Sequence, residues 1–346
     1  MVIRGSAPRR FAAGLAALGL ALAGAAIARI PALGAQSATI GVTDQPVVEI
    51  VARAPRTQII VRSWDRPAIG LDSSDDRTTL DHEMNRFGPG GRPLGVQIPP
   101  AAYDAASGEP TVVPPEDFPY AAFRPGMHDV VTIAAPGGAH LVVTVPSTTG
   151  VLDVMSAGGS TEVEDYRGDN LLVVQRQGSI ALTADRTAAF VQLNRGRLVA
   201  RDDQFERLRA RSNTAALIFA GCYSGEIEAT TISGPIVYDD GEFDAGPARF
   251  DSLKGDIALG TSAPAQIAGR AQSGRVYTAF GRGASVDQRS PGVAIATVGA
   301  GGSLVNAISA LGDVYLYDGS LRGRRDLPAP WRKPQRQLAG PPRQRG

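Results

Sequence analysis

The densest group of side chains that could carry out chemistry is an acidic turn. Four acids fall within the six residues from Asp239 to Asp244, which read DDGEFD. A compact loop of carboxylate oxygens suits a hard cation such as Ca²⁺. The spacing does not match the Asp-x-Asp-x-Asp-Gly calcium loop, and the acid that such a loop carries at its last position is absent. The sequence therefore favours a solvated acidic turn over a calcium site.

The three histidines, His82, His128 and His140, do not form a metal-binding motif. None has a metal-binding partner three or four positions further along the chain, which is the spacing that zinc motifs use. A zinc site would need the fold to bring all three together with an acid such as Asp129 or Glu83. We therefore expect surface histidines and predict no metal-binding residue and no cofactor.

The chain has a single cysteine, Cys222, so no internal disulfide can form. It lies in the apolar stretch 217–223, and no histidine nearby could activate it as a nucleophile. We expect a buried and unreactive thiol.

Polysaccharide-cleaving enzymes with a β-helix fold are the enzymatic alternative. They need acids clustered on one exposed sheet face, whereas the outward positions that we assign, Val237, Ala258, Tyr277 and Tyr315, are mixed. A tyrosine ladder that includes Tyr238 could stack on sugar rings, but we favour a role in the core. The sequence has no Gly-x-Ser-x-Gly elbow, P-loop or dinucleotide motif. We predict that the protein is not an enzyme and has no catalytic residues, with a polysaccharide lyase or hydrolase as the alternative.

A repeat in the second half of the chain governs the fold prediction. A glycine followed two residues later by a branched aliphatic recurs at intervals near nineteen residues, at Gly178, Gly196, Gly234, Gly255, Gly274 and Gly312. Weaker copies begin at Ala215 and Gly292, near the midpoints of the two intervals of double length. A fixed period of this size is typical of stacked small units.

Each repeat is predicted to form two short strands. Helical repeats need more than about thirty residues, and Ile257-Ala-Leu259 and Val314-Tyr-Leu316 alternate with period two, as strands do. A glycine at a corner can adopt unusual φ or let the neighbouring unit approach closely. The sequence thus predicts an all-β, single-stack parallel β-solenoid with about 19 residues per coil. A β-sandwich of antiparallel strands is the competing prediction.

The N-terminal segment 1–35 is predicted to be a secretory signal peptide. Arg4, Arg9 and Arg10 precede the uncharged run 11–28, and small residues follow it. An uncleaved membrane anchor is the alternative.

Composition divides the rest of the chain into four parts. Prolines are dense between 73 and 129, and the end of the chain is basic. We predict an N-terminal β region packing on the solenoid at 36–72, a partly irregular Pro-rich insertion at 73–129, the β-solenoid at 130–319, and a basic disordered tail at 320–346.

The charge distribution bears on partners. The net charge is +1, which predicts no general attraction to nucleic acid. The tail has eight Arg or Lys residues against one acid, Asp326, and contains Trp331. It could dock on anionic envelope polymers or lipid headgroups, but we favour a solvated, disordered end.

Several short motifs together resemble a known family. The stretch from Ile59 to Ile69, the strand from Leu141 to Pro146, and the units Ser233-Gly-Pro-Ile236 and Ser273-Gly-Arg-Val276 are similar to the bacterial putative-adhesin β-solenoid domains. The resemblance covers about 47–70 and 130–319. It implies an exported single-stack β-solenoid and supplies no catalytic residues to transfer.

The sequence therefore predicts a non-enzymatic, exported envelope protein that acts as an adhesin-like structural or interaction module. We expect it in the periplasm or at the cell surface. Its expected partners are an envelope polysaccharide or another envelope protein, with membrane contact only through the signal segment or weakly through the basic tail. Sheet-edge addition at an uncapped coil is a further way to bind a protein partner.

Overall fold

The structure, a computed structural model, describes residues 37–87, 124–244 and 246–339. Within these residues the chain is all-β, as predicted, with 24 strands in one large and mostly parallel sheet. A 3-10 turn, Ala329–Trp331, and one short helix, α1 at Arg332–Ala339, follow the last strand. No helix in the described ranges has the length and apolar character needed to cross a membrane.

The strands of the first half are β1 Ser37–Gly41, β2 Val47–Ala52, β3 Thr57–Trp64, β4 Ala68–Ser73, β5 Thr79–Phe87, β6 Gly126–Ala135, β7 His140–Pro146, β8 Val151–Ser156, β9 Gly159–Glu164, β10 Asn170–Thr183, β11 Arg186–Arg201 and β12 Gln204–Ser212. Those of the second half are β13 Ala216–Ala220, β14 Tyr223–Thr231, β15 Ile236–Asp239, β16 Glu242–Phe243, β17 Ala248–Ser252, β18 Ile257–Gly260, β19 Ala265–Ala271, β20 Val276–Ala279, β21 Ala284–Ser290, β22 Val293–Val298, β23 Ser303–Ser309 and β24 Val314–Tyr317.

Two parallel ladders make up most of the sheet. The first ladder runs in space through β6, β2, β8, the first half of β10, the first half of β11, β12, β14, β17, β23 and β19. The second ladder runs through β7, β3, β9, the second halves of β10 and β11, β13, β15, β18, β24 and β20. We call one strand of the first ladder together with its partner strand of the second ladder a rung.

The register in the middle of the ladders follows the spacing of the glycine repeat. Gly178 pairs with Gly159 and with Gly196, and Leu217 pairs with Leu198 and Ile236. The weak repeat copy that begins at Ala215 therefore belongs to the parallel ladder.

The weak copy at Gly292 does not belong to the parallel ladders. It precedes β22, which pairs antiparallel with both β19 and β21. A glycine and an aliphatic residue at the expected interval do not specify strand direction, and that prediction was wrong.

The chain order of the rungs changes at both ends of the sheet. The rung β2/β3 lies between β6/β7 and β8/β9, and the rung β23/β24 lies between β17/β18 and β19/β20. Antiparallel strands then cover the outer rungs, with β5 on β6, β4 on β7 and β22 on β19. The region 36–72, predicted to pack on the repeats, thus contributes β2 and β3 to the ladders themselves.

One continuous core holds the two ladders together. In β2, Val48, Ile50 and Ala52 are fully buried, while Glu49 and Val51 between them point outward. The inward side chains of both ladders join one hydrophobic cluster. Burying a Val, Leu or Ile side chain stabilises a fold by about 1.5–3 kcal/mol, so this cluster is the main source of stability.

The repeat glycines form a column where each rung passes from the first ladder to the second. A Cβ on Gly178, whose φ is +116°, would lie 2.0 Å from the carbonyl oxygen of Gly159, and one on Gly234 would lie 1.8 Å from that of Ala215. Only glycine allows the neighbouring backbone to approach this closely. The repeat is therefore explained by packing between rungs.

A second column, of hydroxyls, stabilises the same corner. Three residues before the glycine, Thr231 Oγ1, Ser252 Oγ and Ser309 Oγ accept hydrogen bonds from the backbone N–H groups of the repeat glycines at 2.9, 2.7 and 2.9 Å. The signal for this feature is a Ser/Thr-x-x-Gly spacing that our sequence reasoning missed.

The basic tail differs from the prediction of disorder. Trp331, Pro334 and Leu338 are buried, and they pack the 3-10 turn and α1 against the second ladder. Three apolar side chains in so short a segment gave too little hydrophobic content to predict a fold, but they suffice where an apolar sheet face is already present.

Three predicted segments fall partly or wholly outside the described residues. These are the signal segment 1–35, the part of the Pro-rich insertion from 88 to 123, and the last residues of the tail, 340–346. Within the remainder of the insertion, β5 and the start of β6 are regular strands.

Candidate functional site

The outward surfaces of the two ladders differ in character. We call the outward surface of β12, β14 and β17 in the first ladder the open face. We call the outward surface of β13, β15, β18 and β24 in the second ladder the covered face, because α1 and the preceding turn lie on it. Since inward side chains of both ladders share one core, the two faces lie on different sides of that core.

A cleft of about 610 Å³ runs across the open face. Its floor has one side chain from each successive strand, because the registers pair Gln192 with Arg211, Arg211 with Thr230, Thr230 with Asp251, and Asp251 with Ile308. Neighbouring strands lie about 4.8 Å apart, so the cleft offers a hydrogen-bonding or apolar group at each such step.

The rim of the cleft lies where the strands end. Asn194 and Asn213 supply amides, and Ile232 and Leu253 supply exposed apolar side chains, 48% and 50% accessible. Amide, guanidinium and hydroxyl groups beside small apolar surfaces suit a ligand with many hydroxyls and an apolar ring face.

Ion pairs fix the charged side chains of the open face. Arg207 Nε lies 2.7 Å from Glu226 Oε2, and Arg211 Nη2 lies 3.7 Å from Glu228 Oε1. On β17, Arg249 pairs with Asp251 of the same strand. A guanidinium has five donors, so arginines held in this way keep N–H groups available to a ligand.

A second group of candidate residues is a line of carboxyls on the first ladder. Asp81 on β5 pairs in register with Thr132, Thr132 with Glu49, and Glu49 with Asp153. Thr132 Oγ1 donates a hydrogen bond of 3.2 Å to Glu49 Oε2. Apolar side chains surround the pair, since Leu172 pairs with Asp153 and is buried.

The surroundings of Glu49 and Asp153 favour the protonated form of both carboxyls. Burial, with a contribution from Glu49, raises the pKa of Asp153 to about 7. Burial also raises the pKa of Glu49, and the hydrogen bond from Thr132 opposes this effect. A carboxyl that titrates near neutral pH can serve as a general acid or base.

The histidines are not grouped in one site, and the expectation of surface histidines was wrong for His128, which is buried. His82 Nε2 lies 2.6 Å from Asp129 Oδ1, His128 contacts backbone carbonyls, and His140 Nδ1 lies 3.0 Å from Gln58 Oε1. The part of the chain that the structure describes contains no group of three or more His, Cys, Asp or Glu residues able to hold a metal ion.

Asp129 has a structural role beside His82. Its Oδ2 accepts hydrogen bonds of 2.5 Å from both the backbone N–H and the hydroxyl of Thr43. Burial opposes ionisation of this carboxyl, but the hydrogen bonds from His82 and Thr43 outweigh it and lower the pKa of Asp129 to about 2. The ionised carboxylate therefore ties β5 and the segment after β1 to β6.

The acidic turn is not a uniformly solvated loop. Asp239 is buried, and its carboxylate accepts hydrogen bonds from Tyr317 Oη at 2.9 Å, the Leu321 backbone N–H at 3.0 Å and Ser320 Oγ at 2.5 Å. Asp240 has a φ of 52°, and it starts the turn into β16. The prediction of a solvated turn was wrong for Asp239, which anchors the beginning of the tail.

Cys222 is buried, as expected, and burial raises the pKa of its thiol to about 12. The preceding rungs place Asp203 and then Asp185 in the same column. The Asp185 N–H donates to Asp203 Oδ1 at 2.8 Å, and the Tyr166 N–H donates to Asp185 Oδ1 at 2.7 Å. Our sequence reasoning missed this column.

Asp185 and Asp203 lie in surroundings that disfavour the ionised carboxylate. Both are fully buried, and the second oxygen of each has no hydrogen-bond partner among the described residues. Burial, with the neighbouring Asp203, raises the pKa of Asp185 to about 8, and burial raises that of Asp203 to about 7.

The tyrosines divide between the core and the covered face. Tyr238 is in the core, where its ring stacks on Phe243 at a centroid distance of 4.7 Å. Tyr277 stacks on Tyr315 at 5.2 Å, and Tyr315 meets the edge of Trp331 at 5.4 Å. The tail thus covers the aromatic pair that we had considered for stacking on sugars.

No protein-family model matches this chain, and no curated protein does. Among solved structures, a crystal structure of a putative cell adhesion protein from Clostridium sporogenes is aligned over 82% of this chain and 98% of its own length. The identity is 7% and the TM-score is 0.19. A score this low carries no argument about fold or function.

Proposed function

We propose that the protein is an exported, non-enzymatic interaction module of the cell envelope, and that its open face binds an extended polysaccharide. We also propose that its rungs are the coils of a single-stack β-solenoid of about 19 residues each. The glycine column and the register of the middle rungs support the second proposal. The signal-like segment 1–35 supports export.

The cleft on the open face is the observation that carries the binding proposal. It crosses several strands, and each strand adds one side chain at a regular step. A polymer with a short repeat can make the same contact at each step, so many weak hydrogen bonds add up along its length.

A binding assay with matched variants tests the proposal. Calorimetric titration of envelope polysaccharides into the protein should show saturable binding. The double variant Arg211→Ala, Asn213→Ala should bind at least about tenfold more weakly, because each lost hydrogen bond costs about 0.5–1.5 kcal/mol. The control Gln288→Ala, Arg289→Ala likewise removes one arginine and one side-chain amide, from the exposed strand β21, and should bind like wild type. Equal loss in both variants, or no binding by any polysaccharide, would contradict the proposal.

The carboxyl pair favours a second candidate function, cleavage of a polysaccharide by acid–base catalysis. Glu49 and Asp153 face outward on adjacent strands, and the pKa of Asp153 is close to neutral. In that case Asp153→Asn and Glu49→Gln should abolish the release of reducing ends or unsaturated products, and Glu164→Gln on β9 should not. Turnover with this pattern would overturn the non-enzymatic proposal, and its absence across the polysaccharides that bind would remove the enzymatic one.

A further inference from the structure

The docked tail presents its two sides to different surroundings. Pro334 and Leu338 lie one turn apart on α1 and are buried against the covered face, together with Trp331. Arg332 and Arg336 are exposed on the other side of the helix. Docking therefore turns the cations of this segment toward solvent.

The turn before the helix extends the same charged surface. Arg322, Arg324 and Arg325 are all exposed, and Asp326 is the only acid between 321 and the end of the chain. We call residues 321–339 the basic strap.

Few acids neutralise the basic strap. Lys333 Nζ lies 3.4 Å from Asp256 Oδ2 and 3.6 Å from Asp313 Oδ2, and Arg324 pairs with Asp318 at 3.5 Å. The other four arginines have no carboxylate partner among the described residues, and they are Arg322, Arg325, Arg332 and Arg336.

One arginine of the sheet beneath also contacts the strap. Arg197 Nη2 donates a hydrogen bond of 3.1 Å to the carbonyl oxygen of Gln337 in α1. Burial, with a smaller contribution from the nearby Arg201, lowers the pKa of Arg197.

We propose that the basic strap docks the protein on the surface of an anionic lipid bilayer. The exposed cations lie on the solvent side of the docked strap, and none of them lines the cleft of the open face, so they suit a broad charged surface better than an enclosed ligand. The buried side chains of the strap are committed to the covered face, so contact is electrostatic and does not require insertion. The open face lies on a different side of the core and stays accessible to its own partner.

Vesicle sedimentation tests this proposal separately from polysaccharide binding. The chain without segment 1–35 should sediment with vesicles of phosphatidylcholine and phosphatidylglycerol, and it should not sediment with phosphatidylcholine alone. High salt should release it, because exposed charges are then screened.

A charge-matched pair of variants locates the surface. The variant Arg322→Gln, Arg325→Gln, Arg332→Gln, Arg336→Gln should bind anionic vesicles about a hundredfold or more weakly, since each cation near such a surface contributes about fivefold. The control replaces four exposed arginines elsewhere, Arg53, Arg56, Arg86 and Arg282, and should retain wild-type binding. All eight positions are exposed, and thermal unfolding verifies that both variants fold.

Three results would overturn the proposal. They are equal binding of the wild-type protein to neutral and anionic vesicles, equal loss of binding in both quadruple variants, and tight binding to a soluble acidic polysaccharide without binding to anionic vesicles. The last result assigns the basic strap to a polyanion instead of a lipid surface when the quadruple strap variant loses that binding and the variant Arg211→Ala, Asn213→Ala keeps it. The first two results do not bear on whether the open face binds polysaccharide.

Discussion

The open face and the covered face are built from strands of the same geometry, but the open face is exposed to solvent and the covered face is buried beneath the tail. On the open face, Arg209 and Glu228 point outward from successive strands and form an ion pair. At the equivalent positions of the covered face, Ile218, Val237 and Ala258 point outward and are buried beneath the tail. A strand that alternates apolar and polar residues leaves one side to solvent, whereas a strand apolar on both sides needs a second layer.

The sequence shows this difference at the level of single strands. β13 reads ALIFA and β24 reads VYLY, without an outward polar residue in their centres, whereas β12 reads QFERLRARS. Strands that are apolar on both sides therefore indicate a sheet face that another element of the chain covers. Here that element is the tail, which composition alone marks as disordered.

The largest expected effect comes from removing the cover. Trp331→Ala should lower the free energy of unfolding by about 3 kcal/mol or more, because it leaves a cavity above Tyr315 and Tyr317. Urea denaturation monitored by circular dichroism measures this change.

The matched change on the open face should have little effect. Ile232 is 48% exposed, and Ile232→Ala should change the free energy of unfolding by less than about 1 kcal/mol. Similar losses from both substitutions would mean that the two faces do not differ in the way described.

A smaller effect on stability is expected from the interior, where two buried aspartates make the free energy of unfolding depend on pH. The pKa of Asp185 is raised to about 8 and that of Asp203 to about 7, against about 3.9 in an unfolded chain. The folded state then binds more protons, so the free energy of unfolding falls as pH rises from about 4 to about 8. Asp203→Asn should reduce this fall and gain about 2 kcal/mol over wild type between pH 5 and pH 8.

Thermal unfolding across this pH range checks the prediction, with Asp202→Asn as the control because Asp202 is exposed. Parallel pH profiles for wild type and Asp203→Asn would show that the buried column does not titrate in this range. A stability that rises with pH in wild type and not in Asp203→Asn would contradict the direction of the shift.

The smallest expected effect is on the open face itself. Arg207 and Glu226 form a partly exposed ion pair at 2.7 Å, and such pairs contribute about 0–1 kcal/mol. Arg207→Ala should therefore shift the urea midpoint only slightly, and high salt should reduce the shift. A loss comparable to that of Trp331→Ala would place the ion pairs, and not the core and its cover, at the centre of stability.

Much of the fold could be predicted from the repeat glycines, because close approach between rungs at positions such as Gly178 and Gly234 leaves no room for a side chain. The exchanged order of rungs at the ends could not be predicted, since β2 and β23 carry no residue type that distinguishes strands distant in sequence from the strands next to them in sequence. Alternative parallel pairings between similar strands differ little in free energy, and the packing of the whole fold selects among them.

The candidate sites were harder to predict. Cys222 could be assigned to the core from its apolar neighbours, but Glu49 and Asp153 lie about a hundred positions apart, and only the ladder register joins them. Asp239 looked like part of a solvated turn because four acids are adjacent in sequence. Its burial depends on Tyr317 from another rung and on Leu321 from the tail, so no local pattern reveals it.

Thiol labelling tests the central claim, that one outward face is covered by the tail and the other is open. Val237→Cys places a thiol on the covered face and Asn213→Cys places one on the open face, while the native Cys222 reports on unfolding because it is buried. In the folded chain, Asn213→Cys should react rapidly and Val237→Cys should be protected, and truncation after Gly319 should expose Val237→Cys while Cys222 stays unreactive. Equal labelling of the two introduced thiols in the folded, untruncated chain would contradict the account.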